Sequence, residues 1–230
     1  MKLKSGIPFS QVIPHLVLMA FLLFAIFFVM VFPLQIQKTL YQICLSGILA
    51  FAFFCVDKRY RPYLRWLIGF SIVLIWMYIF TDNILVNGIS KSLIICSYII
   101  IAGILVKQAA GSGTVTRIVI LESVNGYLMV GMFFSIIVAL VMLFNPAAYH
   151  FQSPIKNSEE LLINFSEYLY YGFNAFTTVT YGDVMPVSPV AKSVSMAMGF
   201  ISQMYVAIII AMLVGKYAGQ EKKEPGTGDG

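Results

Sequence analysis

The chain has 230 residues, 60% of them apolar and 11% charged, with 15 Lys or Arg against 10 Asp or Glu and a formal net charge of +5. Its mean hydropathy is +0.87. A water-facing surface of this size carries about 25% charged residues, so the composition excludes a disordered chain or a nucleic-acid-binding domain and points to a bilayer.

A crossing of ~30 Å of hydrocarbon takes about 20 apolar residues, and six such stretches are predicted, at 14–33, 39–56, 63–80, 84–106, 118–144 and 193–217. The first follows Lys2 and Lys4 like a signal peptide. It is longer than a typical leader core, however, and no small-x-small cleavage site follows, so it reads as a retained span. The second and third spans are short, covering about 27 Å each, and should stand near the membrane normal or thin the bilayer slightly. Cys44, Cys55 and Cys96 fall inside apolar segments without CxxC spacing or a nearby His, and read as small buried hydrophobes. His15 and His150 have no companion that would suggest metal binding or catalysis. No HExxH, GxSxG or intramembrane acid pair occurs, so an enzyme is not expected.

Lys91 is the only base within the fourth span, where a voltage sensor would place Arg or Lys at every third position. One charge crossing the field gains only ~2.3 kcal/mol per 100 mV, too little for steep gating. Its ordinary reading is a side chain snorkelling to the outer interface. Glu122, near the start of the fifth span, is within range of Arg117 or Lys216, but an acid at a helix N-terminus needs no further role.

Cations set the orientation. Lys2, Lys4, Lys58, Arg59, Arg61, Arg65, Lys107, Arg117, Lys216, Lys222 and Lys223 fall on one side, against Lys38, Lys156 and Lys192 on the other. Both termini are therefore expected in the cytoplasm, and 145–189 outside. That segment is long for a connection, and from Phe165 it turns apolar again without being long enough to cross. A re-entrant element fits. Non-helical backbone at membrane depth is tolerated only where protein buries it or where it lines a water-filled cavity. In the same segment Glu159, Glu160, Glu167 and Asp183 outnumber Lys156 and Lys192, which would concentrate cations at an outer mouth.

Ser166 as N-cap and Glu167 in the first turn predict a short helix ending at Thr177 or Thr178, its partially negative C-terminus aimed at the bilayer centre. The chain then climbs back through TTVTYGD, residues 177–183. This run resembles the TTVGYGD selectivity filter of the tetrameric potassium channels. The resemblance extends over the pore unit, about 118–217, with Tyr170 and Tyr171 at the paired-aromatic positions, Asp183 after the filter and Pro186 beyond it. The last span, SQMYVAIIIAMLVGKY, is similar to prokaryotic members with extra N-terminal spans.

The resemblance implies an all-α integral membrane fold with six transmembrane helices, a re-entrant pore helix and a filter loop, assembled as a homotetramer in the plasma membrane. It implies K+ ligands at the backbone carbonyls of Thr178, Val179, Thr180 and Tyr181 and at the Thr178 hydroxyl, with Gly182 completing the filter. Tyr181 would brace against Tyr170 and Tyr171. Asn174 stands where several such channels carry Glu, within reach of Asp183, and Gly199 or Ser202 would be the hinge or a packing position in the last span.

Thr180 departs from the family pattern, which has Gly there because filter residues alternate in backbone handedness. A left-handed Thr costs ~1 to 2 kcal/mol per chain. Either its neighbours hold it strained, or the strand rotates and loses a carbonyl ring. The domain reading is 1–110 for a four-span membrane domain, 111–217 for the pore domain and 218–230 for a polar tail. No cofactor is expected beyond permeant K+, and the expected partners are three further copies, lipid and monovalent cations. The function expected is a potassium-preferring channel without an Arg-rich sensor. The alternatives are a weakly selective monovalent cation channel and a non-conducting membrane scaffold.

Overall fold

A computed structural model describes residues 9–77, 84–152 and 164–221. Lys2, Lys4, Asp82, Lys156, Glu159, Glu160, Lys222 and Lys223 lie outside the described residues, as does the predicted end of the third span. Helix α1 (Phe9–Leu23) runs on as a π turn (Phe24–Phe28) and a 3-10 turn (Val29–Val31). Pro33 then excludes helical geometry at Phe32, which is extended at φ −77° and ψ 158°. Four helices follow: α2 (Leu34–Cys55), α3 (Arg61–Met77), α4 (Ile84–Gly111) and α5 (Arg117–Phe144). Arg61 closes the C-terminus of α2, donating from Nε to the Val56 carbonyl at 3.0 Å and from Nη2 to that of Phe54 at 2.8 Å.

After α5 come strand β1 (Tyr149–Phe151), the short helix α6 (Phe165–Phe176), strand β2 (Val184–Pro186) and α7 (Pro189–Glu221). The fold is mostly helical, in keeping with the all-α expectation, with one small addition: β1 and β2 pair antiparallel, with Tyr149 opposite Pro186 and Phe151 opposite Val184. Ala148 extends this clamp by accepting the amides of Val187 and Ser188 through its carbonyl.

Among the described residues five helices are long and apolar enough to cross a membrane; α3, at 17 residues and about 26 Å, falls just short. The chain is a multi-pass membrane protein in this sense, with six spans an expectation. Its core is continuous from the first helices into the last. Helices α1, α4, α6 and α7 all pack on α5, and the Tyr41 ring of α2 meets Phe165 of α6 edge-on at 5.0 Å between centroids. The N-terminal helices therefore pack on α5 and α6 of their own chain. Two smaller readings change as well. Cys96 is exposed, unlike Cys44 and Cys55, and Ser97 on the next position of α4 instead turns inward to meet Ser71 of α3 at 2.8 Å.

Candidate functional site

Helix α6 lies close against α5 because both offer small residues at the crossing. A Cβ on Gly172 would stand 2.8 Å from the Ser135 Cα, a backbone atom that cannot give way. The helix starts one residue before its expected cap. Asn164 occupies the N-cap without a side-chain cap bond, and Ser166 is buried in the first turn beside Glu167. At the other end Thr177 donates from both its amide and its hydroxyl to the Phe173 carbonyl, at 2.8 and 2.7 Å.

Beyond that end the backbone alternates. Thr178 has φ 61°, Thr180 φ 45° and Gly182 φ 83°, with Val179 and Tyr181 between them outside the left-handed region. Thr180 is therefore held left-handed, the first of the two outcomes expected for it. Alternating handedness turns successive carbonyls to one side of a strand, which ordinary β-structure does not do. Each left-handed threonine costs ~1 to 2 kcal/mol, so the loop needs an external hold. Part of it is local: the amides of Val179 and Thr180 both donate to the Asn174 carbonyl, at 3.1 and 3.3 Å. Asn174 supports the loop through its main chain, whereas its buried side-chain Oδ1 has no hydrogen-bond partner.

The rest of the hold comes at the outer end. Tyr170 Oη donates to Asp183 Oδ2 at 2.6 Å, and the Val184 amide donates to Oδ1 at 3.1 Å. The expected Asn174 to Asp183 approach is thus replaced by Tyr170, and the hydrogen bond to the carboxylate pushes the Tyr170 phenol up to about 12. Tyr171 is buried, shares a hydrogen bond of 2.5 Å with Ser195 of α7 and meets Tyr149 edge-on at 4.9 Å. Neither ring receives Tyr181 in a brace inside one chain: Tyr181 is 74% exposed, and the whole run 177–182 is open on its front.

Helix α7 passes beneath the inner end of the loop. Gly199 faces the Thr178 Cγ2, a Cβ there being 3.7 Å away, and Gln203, one turn on, donates from Nε2 to Thr178 Oγ1 at 3.2 Å. Ser202 is buried against the Tyr127 hydroxyl at 3.0 Å. Gly199 and Ser202 sit in uninterrupted helix, and both have packing roles there. Glu122 takes neither of its expected partners. It accepts from Gln108 Nε2 at 3.0 Å, while Lys216 Nζ donates to the carbonyls of Ala109 and Ala110 at 2.7 and 2.9 Å, at the C-terminus of α4.

Sequence reasoning missed Ala148, Tyr149, Ser195 and Gln203. Only Gln203 carried a signal, an amide in an apolar span four residues after Gly199 and so on the same helix face. Residues 136–218 match the ion channel family. No curated protein and no solved structure matches the chain. The matched stretch runs from the middle of α5 through α6 and the alternating loop to the end of α7, and it supports an ion channel assignment and passive ion conduction for this part of the molecule.

Proposed function

We propose that the chain is one subunit of a homotetrameric, potassium-preferring channel of the plasma membrane, with both termini in the cytoplasm. The observation that carries this reading is the alternation of left-handed residues at 178, 180 and 182 inside a segment that matches the ion channel family. Four such strands around one axis would present rings of carbonyls from Thr178, Val179, Thr180 and Tyr181, plus the Thr178 hydroxyl, to replace the hydration shell of K+. Gly182 would let the strand leave the axis, and Asp183 with Tyr170 would fix its outer end. The exposure of 177–182 on one side fits a surface meant for ions and for neighbouring copies. In the assembly Tyr181 would find its brace on the next subunit.

With Lys91 the one base inside its apolar span and Lys107 at the cytoplasmic end, α4 lacks the regular series of charges a voltage sensor needs. K+ is cargo here, and no cofactor or nucleic acid enters the mechanism. Purified full-length protein in planar bilayers tests the proposal through reversal potentials under opposed potassium and sodium gradients. A potential close to the potassium limit is expected. Equal permeability would move the reading to a weakly selective cation pore, and silence from a folded tetramer would leave the scaffold.

A further inference from the structure

On the outer surface of the N-terminal helices, small residues on two facing helices leave a groove. Ala50, Phe53 and Phe54 on α2 and Arg65, Ile68 and Gly69 on α3 line an open groove of about 220 Å³. Each set is spaced i, i+3, i+4, which places it on one face of its helix. Gly69 faces open space in the groove: a Cβ built there meets nothing within 4 Å. Floor and walls are otherwise apolar, and the only charged lining group is Arg65, one turn from Gly69 and about 6 Å along the helix axis.

Arg65 differs from its neighbour Arg61. Both hydrogen-bonding arms of Arg61 are committed to the α2 carbonyls, whereas the guanidinium of Arg65 lies 5.8 Å from the exposed Trp66 ring and forms no ion pair among the described residues. The α2–α3 turn beside it adds exposed Lys58 and Arg59 against a single acid, Asp57. Tyr63 and Trp66, 82% and 76% exposed, flank the same end as interfacial aromatics do. An apolar slot closed at one end by cations, at the level of an aromatic belt, matches one ligand: hydrocarbon chain in the slot, negative headgroup at the end.

We propose that this groove is a binding site for an anionic glycerophospholipid of the surrounding leaflet, one acyl chain lying over Gly69 and the phosphate held by Arg65 with Lys58 and Arg59. The site rests on the membrane reading of the chain but not on conduction. Because an anionic lipid would tie the α2–α3 turn to the leaflet, it gives the N-terminal helices a chemical sensitivity to membrane composition.

The test is lipid retention by the intact, detergent-purified protein, measured by native mass spectrometry during titration with dioleoyl phosphatidylglycerol or dioleoyl phosphatidylcholine. The anionic lipid is expected to bind more tightly. Arg65→Gln should weaken it about fivefold, the loss of one cation at an anionic surface, and Gly69→Phe should remove the advantage by filling the slot. Thermal unfolding without added lipid checks that both variants fold. Arg117→Gln removes a cation at the start of α5 and should change retention less than twofold. Equal affinity for the two lipids, or an Arg117→Gln loss as large as that of Arg65→Gln, would overturn the site. Dissociation of the assembly by Gly69→Phe would overturn it in favour of a contact between copies. Retention is read without current, so a non-conducting protein that keeps the lipid preference would defeat the channel reading alone.

Discussion

Helices α5 and α7 have nearly the same length and apolarity, yet they meet their own chain very differently. Half of the most apolar stretch of α5 is buried inside the chain, against 11% for α7. The cause is position. α5 receives α1, α4, α6 and α7 and carries Gly126, Gly131 and Ser135 where neighbours come close. α7 packs mainly on α5 and α6, with Lys216 reaching α4, and leaves Met196, Phe200 and Val214 at 76%, 68% and 62% exposure. One chain thus packs the back of this unit and leaves its front open, where the proposed tetramer would place other copies and the ion path.

The sharpest way to break that contrast is at the back. Gly172→Val would drive a β-branched side chain into the Ser135 backbone; overpacking of ~3 kcal/mol or more is expected, seen as loss of monodisperse protein. Normal yield and melting temperature would show that the α5–α6 contact is looser than described. Next in size is a matched pair of truncations. Phe134→Ala, in the buried face of α5 with its ring 5.9 Å from Phe176, should cost ~3 to 5 kcal/mol of folding stability. Phe200→Ala on α7 should leave helix content and monomer stability unchanged while shifting the tetramer toward smaller species in size measurements. If both behave alike, the division into own core and borrowed core is wrong.

Smaller effects are expected where back and front join. Tyr170→Phe removes the donor to Asp183 at a cost of ~1.5 to 3 kcal/mol per chain, read as faster loss of current during sustained opening and an earlier melt of the tetramer. Smallest is Thr180→Gly, which relieves ~1 to 2 kcal/mol of left-handed strain per chain. Among the described residues the Thr180 hydroxyl has no hydrogen-bond partner in the chain, so nothing is lost in exchange. A more heat-resistant tetramer with unchanged reversal potential is the expected result, and a silent, unstable one would mean that a neighbouring copy depends on the threonine.

What could be read from sequence followed from signals that repeat over many residues. Spans declared themselves through long apolar runs, and the loop through a seven-residue motif whose strain at Thr180 was a matter of covalent geometry. What stayed hidden depends on pairings between distant positions. The strands YHF and VMP are three residues each, too short for alternation to register, and they become strands only because each finds the other. Asp183 was expected to face Asn174, nine residues before it. The helix turn instead delivers Tyr170, while Asn174 serves the loop through its main-chain carbonyl. The helix start moved from Ser166 to Asn164 for a similar reason, since Ser166 is needed inside, against the core.

Polar attachments near its two ends make α7 a beam fixed at both ends. Ser195 is fastened to Tyr171 near the top, and Lys216 to the last carbonyls of α4 near the bottom. About 32 Å of helix lies between these rivets. A beam so held cannot slide along its axis without first releasing one of them. Between them Ser202 meets Tyr127, Gln203 donates to Thr178 and Tyr205 donates to the Ser123 carbonyl at 2.7 Å, so the bare part of the beam is its opposite face, with Phe200 and Val214. The bottom rivet belongs to the fourth helix, so the Lys216 ammonium ties the cytoplasm-facing end expected for the seventh helix to the last turn of the fourth.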